Sequence, residues 1–210
     1  MRGRFLTLEG GEGAGKTTLI KALQSWLTGQ GIDVVITREP GGTPGAEVLR
    51  DILLNGATDR WSPVTEALLM YAARVDHVER LIEPALARGA WVISDRFSDS
   101  TRAYQGVAGG VPSARIAKIH EAALGSFNPD LTLILDLDPK IGLARTVARG
   151  EDATRFERFD TRFHDRLRQA FLDIAAEDPD RCHVLDALEE PGDVVAKAIA
   201  AIEARLGTPA

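Results

Sequence analysis

The run Gly10-Gly11-Glu12-Gly13-Ala14-Gly15-Lys16-Thr17-Thr18 sets glycines, a lysine and a hydroxyl at the spacing G-x-x-x-x-G-K-T, directly after the apolar stretch 5–9. The chemistry this spacing serves is the holding of phosphate groups. Glycines let the backbone close into an anion-sized concavity whose N–H groups, with the N-terminus of the following helix, face the phosphates. Lys16 reaches the β- and γ-phosphates, and the Thr17 hydroxyl is a candidate ligand for Mg²⁺. The strand before the run and the amphipathic pattern Leu19, Ile20, Leu23, Trp26, Leu27 after it supply the context in which the spacing has this meaning. The run alone does not specify a kinase.

Other candidate groups also follow apolar runs. Asp95-Arg96 ends the run 91–94. In a chain with a phosphate loop, an acid there steers Mg²⁺ or its water; a surface turn beginning with Asp is the plainer alternative. Arg96 leaves the same sheet edge, where a guanidinium holds a second phosphoryl group through two parallel bonds. In Arg38-Glu39-Pro40-Gly41-Gly42-Thr43, Pro and paired Gly make a rigid, irregular loop that approaches a ligand closely. Arg38 is then a phosphate contact and Glu39 a supporting or metal-side carboxylate, unless the segment is only a strand-to-helix turn with Thr43 as its cap. Arg74 ends the otherwise apolar helical stretch Leu68-Leu69-Met70-Tyr71-Ala72-Ala73, so it either snorkels to solvent or donates into a pocket. The segment 148–160, ARGEDATRFERFD, is polar and Arg-rich between two helical patterns and reads as a movable lid.

These groups need a frame that brings them together. Apolar runs predict strands over 5–9, 32–37, 91–94, 131–136 and 183–186; helical periodicity predicts helices over 16–28, 46–54, 63–88, 113–125, 139–149, 161–177 and 191–206. Strands alternating with helices read as an α/β fold, a parallel five-stranded sheet flanked by helices. Ligands of such sheets bind beyond the carboxyl ends of the strands, where the candidate residues lie. With 210 residues, 44% of them apolar, one core and one domain over 1–210 are expected. A net charge of −6 offers no footprint for a nucleic acid polymer. Cys182 is alone, which excludes a disulfide framework and suits a core thiol. His77, His120, His164 and His183 lack metal-ligand spacing and read as surface or partly packed. No apolar run approaches the ~18 residues of a membrane span. The first strand starts too close to Met1 for a signal peptide, so a cytoplasmic protein without membrane attachment is expected.

Taken together, GGEGAGKTT, TREPGGT, LLMYAAR (68–74), SDRFSDSTRAYQG (94–106) and ARGEDATRFERF closely resemble bacterial thymidylate kinase, in the P-loop nucleoside monophosphate kinase superfamily, over about residues 4–206. The resemblance implies transfer of the ATP γ-phosphoryl group to the 5′-phosphate of dTMP, giving dTDP, with Mg²⁺ accompanying ATP and a homodimeric assembly. It casts the run 10–18 as the ATP site, with Lys16 on the phosphates, and Thr17 and Asp95 on the metal side. Arg96 becomes the clamp on the dTMP phosphate, with Arg50 a further acceptor-phosphate contact; Arg38 and Glu39, read from their loop, are placed with the substrate-binding residues. Arg74 resembles the arginine that reaches the thymine carbonyl, while Ser100 and Gln105 match base-pocket positions. Tyr104 resembles the tyrosine placed against the sugar where a 2′-hydroxyl would clash. Glu12 matches an acid near the acceptor 3′-hydroxyl. One departure is Met70, where related sequences usually carry a Phe stacked on thymine; its polarizable sulfur is then what covers the base.

Phosphoryl transfer needs positive charge around the γ-phosphate oxygens. Some thymidylate kinases place an arginine inside the phosphate loop. This loop offers only Glu12 and small residues besides Lys16. The lid arginines Arg149, Arg155 and Arg158 are then the donors, Arg149 and Arg155 first, in a lid that closes over ATP and excludes water. No strong general base is needed, because a phosphate monoester dianion is already a competent nucleophile. Two other readings stay open: a kinase for another small acceptor, and a nucleotide-switched regulatory module. The N-K-x-D tetrapeptide of switch GTPases is absent.

Overall fold

A computed structural model of the chain describes residues 2–148, 155–156 and 158–207. Arg149 and most of the lid expected over 148–160 therefore lie outside the described residues. The strands β1 (Phe5–Gly10), β2 (Val34–Arg38), β3 (Trp91–Asp95), β4 (Leu131–Asp136) and β5 (Cys182–Asp186) form one sheet in the order β2-β3-β1-β4-β5. All neighbours are parallel, as the alternation of apolar runs with helices predicts.

Side chains alternate across each strand. Leu6, Leu8, Leu133 and Leu135 pack on one face against Leu19, Leu23 and Leu27 of α1 (Lys16–Gly29) and Ala198 and Ile202 of α9 (Pro191–Leu206). On the other face Ile134 meets Phe171 and Ile174 of α8 (Thr161–Glu177), and Phe5 and Val92 meet Ile82, Leu86 and Phe97. The register pairs Leu8 and Arg38 with Asp95, and Gly10 with Leu135. β1, β4 and β5 run on past the level at which β2 and β3 end, and because all five strands point the same way the loops that carry the candidate residues share one edge.

Helix boundaries follow local chemistry. α2 (Pro44–Leu54) starts two residues before the apolar pattern does, because Pro44 suits the first turn and the Thr43 hydroxyl caps Ala46 N–H at 3.3 Å. The helix expected over 63–88 is one rod in three parts: α3 (Pro63–His77), a π-helical turn Val78–Ile82, and α4 (Glu83–Ala87). Pro84 explains the wide turn, since its ring cannot fit against the carbonyl four residues earlier in a regular α-helix. α6 (Ser113–Leu124) and α7 (Pro139–Ala148) complete the layers.

Two expectations are corrected. The segment after β3, outside every predicted element, forms α5 (Ser98–Thr101) running into a π-helical stretch Arg102–Ala108. The four-residue recurrence of Ser100, Thr101, Tyr104 and Gln105 puts all four on one face, a pattern hidden by the turn-forming Ser, Asp and Gly around it. Histidine burial is the second. His77 is fully buried between Thr37 Oγ1 (2.7 Å) and Glu39 Oε1 (3.0 Å), and His164 is buried on the inner face of α8. Cys182 is the core thiol expected, and burial pushes its titration up to about 12.

Candidate active site

The cradle begins where β1 ends. Gly13 has φ 68°, a region L side chains avoid, and a Cβ there would lie 2.2 Å from the Gly142 carbonyl of α7. The loop can therefore lie flat on α7 only as glycine. Lys16 is buried and donates Nζ to the carbonyls of Gly10 (3.2 Å) and Gly11 (3.0 Å). Burial, followed by the nearby Arg96, pulls its titration below the usual lysine range. Thr17 and Thr18 are exposed at the start of α1.

One cavity of about 220 Å³ joins residues 13–17 of the cradle and Glu12 to Asp95, Arg96, Arg38, Glu39, Arg50, Met70, Arg74, Ser100, Tyr104 and Gln105. The sheet edge thus unites nearly every candidate residue. Gly10 and Gly11 contribute through their carbonyls to Lys16, and Thr18 stands outside the lining.

Arg96 organises the middle of this cavity. It takes a left-handed φ of 74°, fixed by its N–H to Leu8 O (2.9 Å) and by Ser94 Oγ donating to its carbonyl (2.8 Å). The side chain then donates to Gly10 O (3.0 Å), Ser100 Oγ (3.2 Å) and Glu12 Oε1 (2.8 Å). Tyr104 lies under the guanidinium and donates its hydroxyl to the same Glu12 oxygen at 2.8 Å. Burial works to raise the Glu12 titration, but Arg96 and Lys16 outweigh it and hold the carboxyl at about 2. Glu12 is therefore a fixed negative charge between the cradle and Tyr104.

Arg74 is buried, not snorkelling. It donates Nε to Glu39 Oε2 (2.7 Å) and Nη2 to Phe97 O and Thr101 Oγ1 (both 3.1 Å). Its Nη1 is buried and has no partner among the described residues. A buried donor without an acceptor is costly, so this nitrogen is the one donor of the Arg74 guanidinium left uncommitted on the cavity wall. Arg50 holds the Pro40 carbonyl at 2.6 Å, and Arg38 is exposed against Glu47 at 3.3 Å. Met70 forms apolar wall with Leu54, Phe97 and Phe156.

Arg155, expected at the transferring phosphate, is elsewhere in this conformation. It is buried, its Nη1 donates to Glu66 Oε2, and its Nε and Nη2 donate to the carbonyls of Ala57 (2.9 Å) and Thr58 (2.8 Å). Arg158 Nη2 caps Gly56 O at 2.9 Å.

A family model described as thymidylate kinase matches residues 8–198. The chain is 56% identical to the thymidylate kinase of Caulobacter vibrioides over 206 residues, covering 98% of this chain and 99% of the relative. The chain belongs to the thymidylate kinase family. It is 51% identical to the thymidylate kinase of Cereibacter sphaeroides, with 96% and 94% covered. Its fold is similar to the crystal structure of the thymidylate kinase of Ehrlichia chaffeensis, with TM-score 0.78, 33% identity, and 96% and 99% of the two chains covered.

Two carboxylates of this thymidylate kinase carry no local sign of their burial. Glu66 reads as a favourable charge in the first turn of α3, and nothing local signals its burial. Glu9 reads as the polar end of a strand, yet it is fully buried and accepts from Phe97 N (2.8 Å), Ser100 N (3.2 Å) and Ser100 Oγ (2.6 Å). Burial raises its titration to about 7 against the pull of Arg96. Between the ordinary carboxylate range and pH 7, the folded chain holds a proton that the unfolded chain has released. Glu9 accordingly contributes stability that is full below that window and is lost as pH rises through about 7. Urea midpoints from pH 5 to 8 should show Glu9→Gln removing a slope of up to about 1.4 kcal/mol per pH unit. Parallel profiles for the two proteins would refute this.

Proposed function

We propose that the chain transfers the γ-phosphoryl group of ATP to the 5′-phosphate of dTMP, as a single catalytic unit over 1–210 with its lid at about 148–160. The observation that carries this reading is the single cavity running from the cradle past Arg96 to the unpartnered donor of Arg74. A triphosphate on the cradle and a monophosphate at Arg96 would meet in its middle. A base carbonyl would take Arg74 Nη1, and Tyr104 above Glu12 supplies the wall that favours a deoxyribose.

An oxygen of the dTMP phosphate attacks the γ-phosphorus, the bond to the bridging oxygen breaks, and ADP leaves with that electron pair. Lys16 moves from the Gly10 and Gly11 carbonyls to the phosphates, and Arg96 holds the acceptor phosphate in line. Asp95 Oδ1 is buried and accepts no hydrogen bond among the described residues, and Thr17 lines the same cavity. That pair fits Mg²⁺, which binds through one or two protein oxygens plus waters and substrate phosphates. When bound, the ion would neutralise phosphate charge. Among the lid arginines, Arg149 is the proposed donor to the transition state; Arg155 would have to leave Glu66 to join it.

A homodimer is the proposed assembly, supported by Val48 and Leu68, which are 60% and 52% exposed on the packed pair α2 and α3. No described helix is long and apolar enough to cross a membrane; the location proposed is the cytoplasm. The test of function is ADP release in the presence of ATP with dTMP, dCMP, dGMP or thymidine as acceptor. dTMP should give the highest kcat/KM by at least about tenfold; faster turnover of dCMP or thymidine would overturn the assignment.

A further inference from the structure

Gln105 reaches the acceptor cavity from the π-helical stretch and is almost fully buried. A primary amide has a donor end and an acceptor end, and its use depends on which end faces a ligand. Here the donor end is committed, because Gln105 Nε2 donates to Glu66 Oε1 at 2.6 Å. The opposite rotamer would set the amide oxygen against a carboxylate oxygen, two acceptors in contact. Glu66 cannot give way, since its other oxygen accepts from Arg155 Nη1 and all three side chains are buried. Arg155 is itself fixed by the Ala57 and Thr58 carbonyls, and its own N–H bonds Leu54 O at 3.1 Å.

We infer that Glu66 is a specificity-determining positioning residue, which turns Gln105 so that its carbonyl oxygen faces the acceptor base, and that Arg155 holds Glu66 in that orientation. The inference rests on the dTMP reading above. The cavity then offers a base edge one donor, Arg74 Nη1, beside one acceptor, Gln105 Oε1. A pyrimidine with a carbonyl next to a ring N–H satisfies both. A cytosine edge opposes both, with an amino group against the guanidinium and a bare ring nitrogen against the amide oxygen.

The test is the ratio of kcat/KM for dTMP to that for dCMP in four proteins: the unaltered chain, Glu66→Gln, Gln105→Leu and the double variant, with thermal midpoints measured alongside. A neutral amide at position 66 accepts either end of Gln105, so Glu66→Gln should lower the ratio at least about tenfold. In the Gln105→Leu background the same change should move the ratio less than about twofold, because the residue through which Glu66 acts is gone. A purely structural role would lower both acceptors together and leave the ratio unmoved. Should Glu66→Gln fail to fold, Glu66→Asp keeps the charge for Arg155 while drawing it back from Gln105, and the ratio should fall in the same way. An unchanged ratio in Glu66→Gln, or an equal fall with and without Gln105, would overturn the inference while dTMP preference in the unaltered chain still stood. An unaltered chain that does not prefer dTMP to dCMP would instead overturn the acceptor reading beneath it, and this inference with it.

Discussion

Replacing Arg96 with alanine is expected to lower kcat/KM for dTMP by about 10²- to 10³-fold, the cost of losing one charged contact on a reacting group. The guanidinium touches the Gly10 carbonyl, Ser100 and Glu12 at once, so its removal unties the cradle from the acceptor wall. It also leaves the Glu12 carboxylate without the larger of the two cationic influences, Arg96 and Lys16, that hold its titration near 2. That negative charge then faces an incoming phosphate dianion, and KM should rise more than kcat falls. Adding Glu12→Gln to Arg96→Ala should recover part of the KM. Arg96→Lys should recover little, because a point charge cannot hold both Glu12 and a phosphate in the planar fork that Arg96 presents. Steady-state kinetics with dTMP varied at saturating ATP decides the matter; unchanged kcat/KM in Arg96→Ala would refute the clamp. The left-handed backbone at Arg96 agrees with this role, since strain of that kind persists where surrounding structure enforces it at functional positions.

The second large effect separates the lid arginines by readout. Arg149→Ala should lower kcat by at least about 10²-fold while dTMP binding survives, because in the mechanism proposed above the lid supplies the transition-state charge that a cradle without an arginine lacks. Arg155→Ala should first lower stability. It strands the Glu66 carboxylate in the interior without its guanidinium, a loss of about 3–5 kcal/mol in comparable buried pairs. For a chain of this length that corresponds to a thermal midpoint lower by roughly 6–20 °C. Both arginines look alike in an Arg-rich polar segment. Full turnover in Arg149→Ala would refute the lid argument, and an unshifted midpoint in Arg155→Ala would refute the anchoring of Glu66.

Much of this arrangement is legible in the sequence, because the information is local. Apolar runs separated by helical periodicity require a parallel sheet with helices on both faces, and residues following strand ends must gather at one edge. Glycine spacing before Lys16 and the Pro-Gly-Gly loop after Arg38 have meaning within a few residues, so the cradle and the acceptor edge could be located from them. The helical character of the segment after β3 was written there too, in the four-residue recurrence of Ser100 and Tyr104, but turn-forming neighbours masked it.

What tertiary structure alone decided is which charge meets which. Arg74 meets Glu39 across 35 positions and Arg155 meets Glu66 across 89. The burial of His77 and Glu9 likewise comes from helices laid over the sheet by distant parts of the chain. Periodicity tells a side chain which face of its own element it occupies, but not what stands opposite. For ionisable groups in a low-dielectric interior the opposite partner sets both the charge state and the direction in which remaining donors and acceptors point.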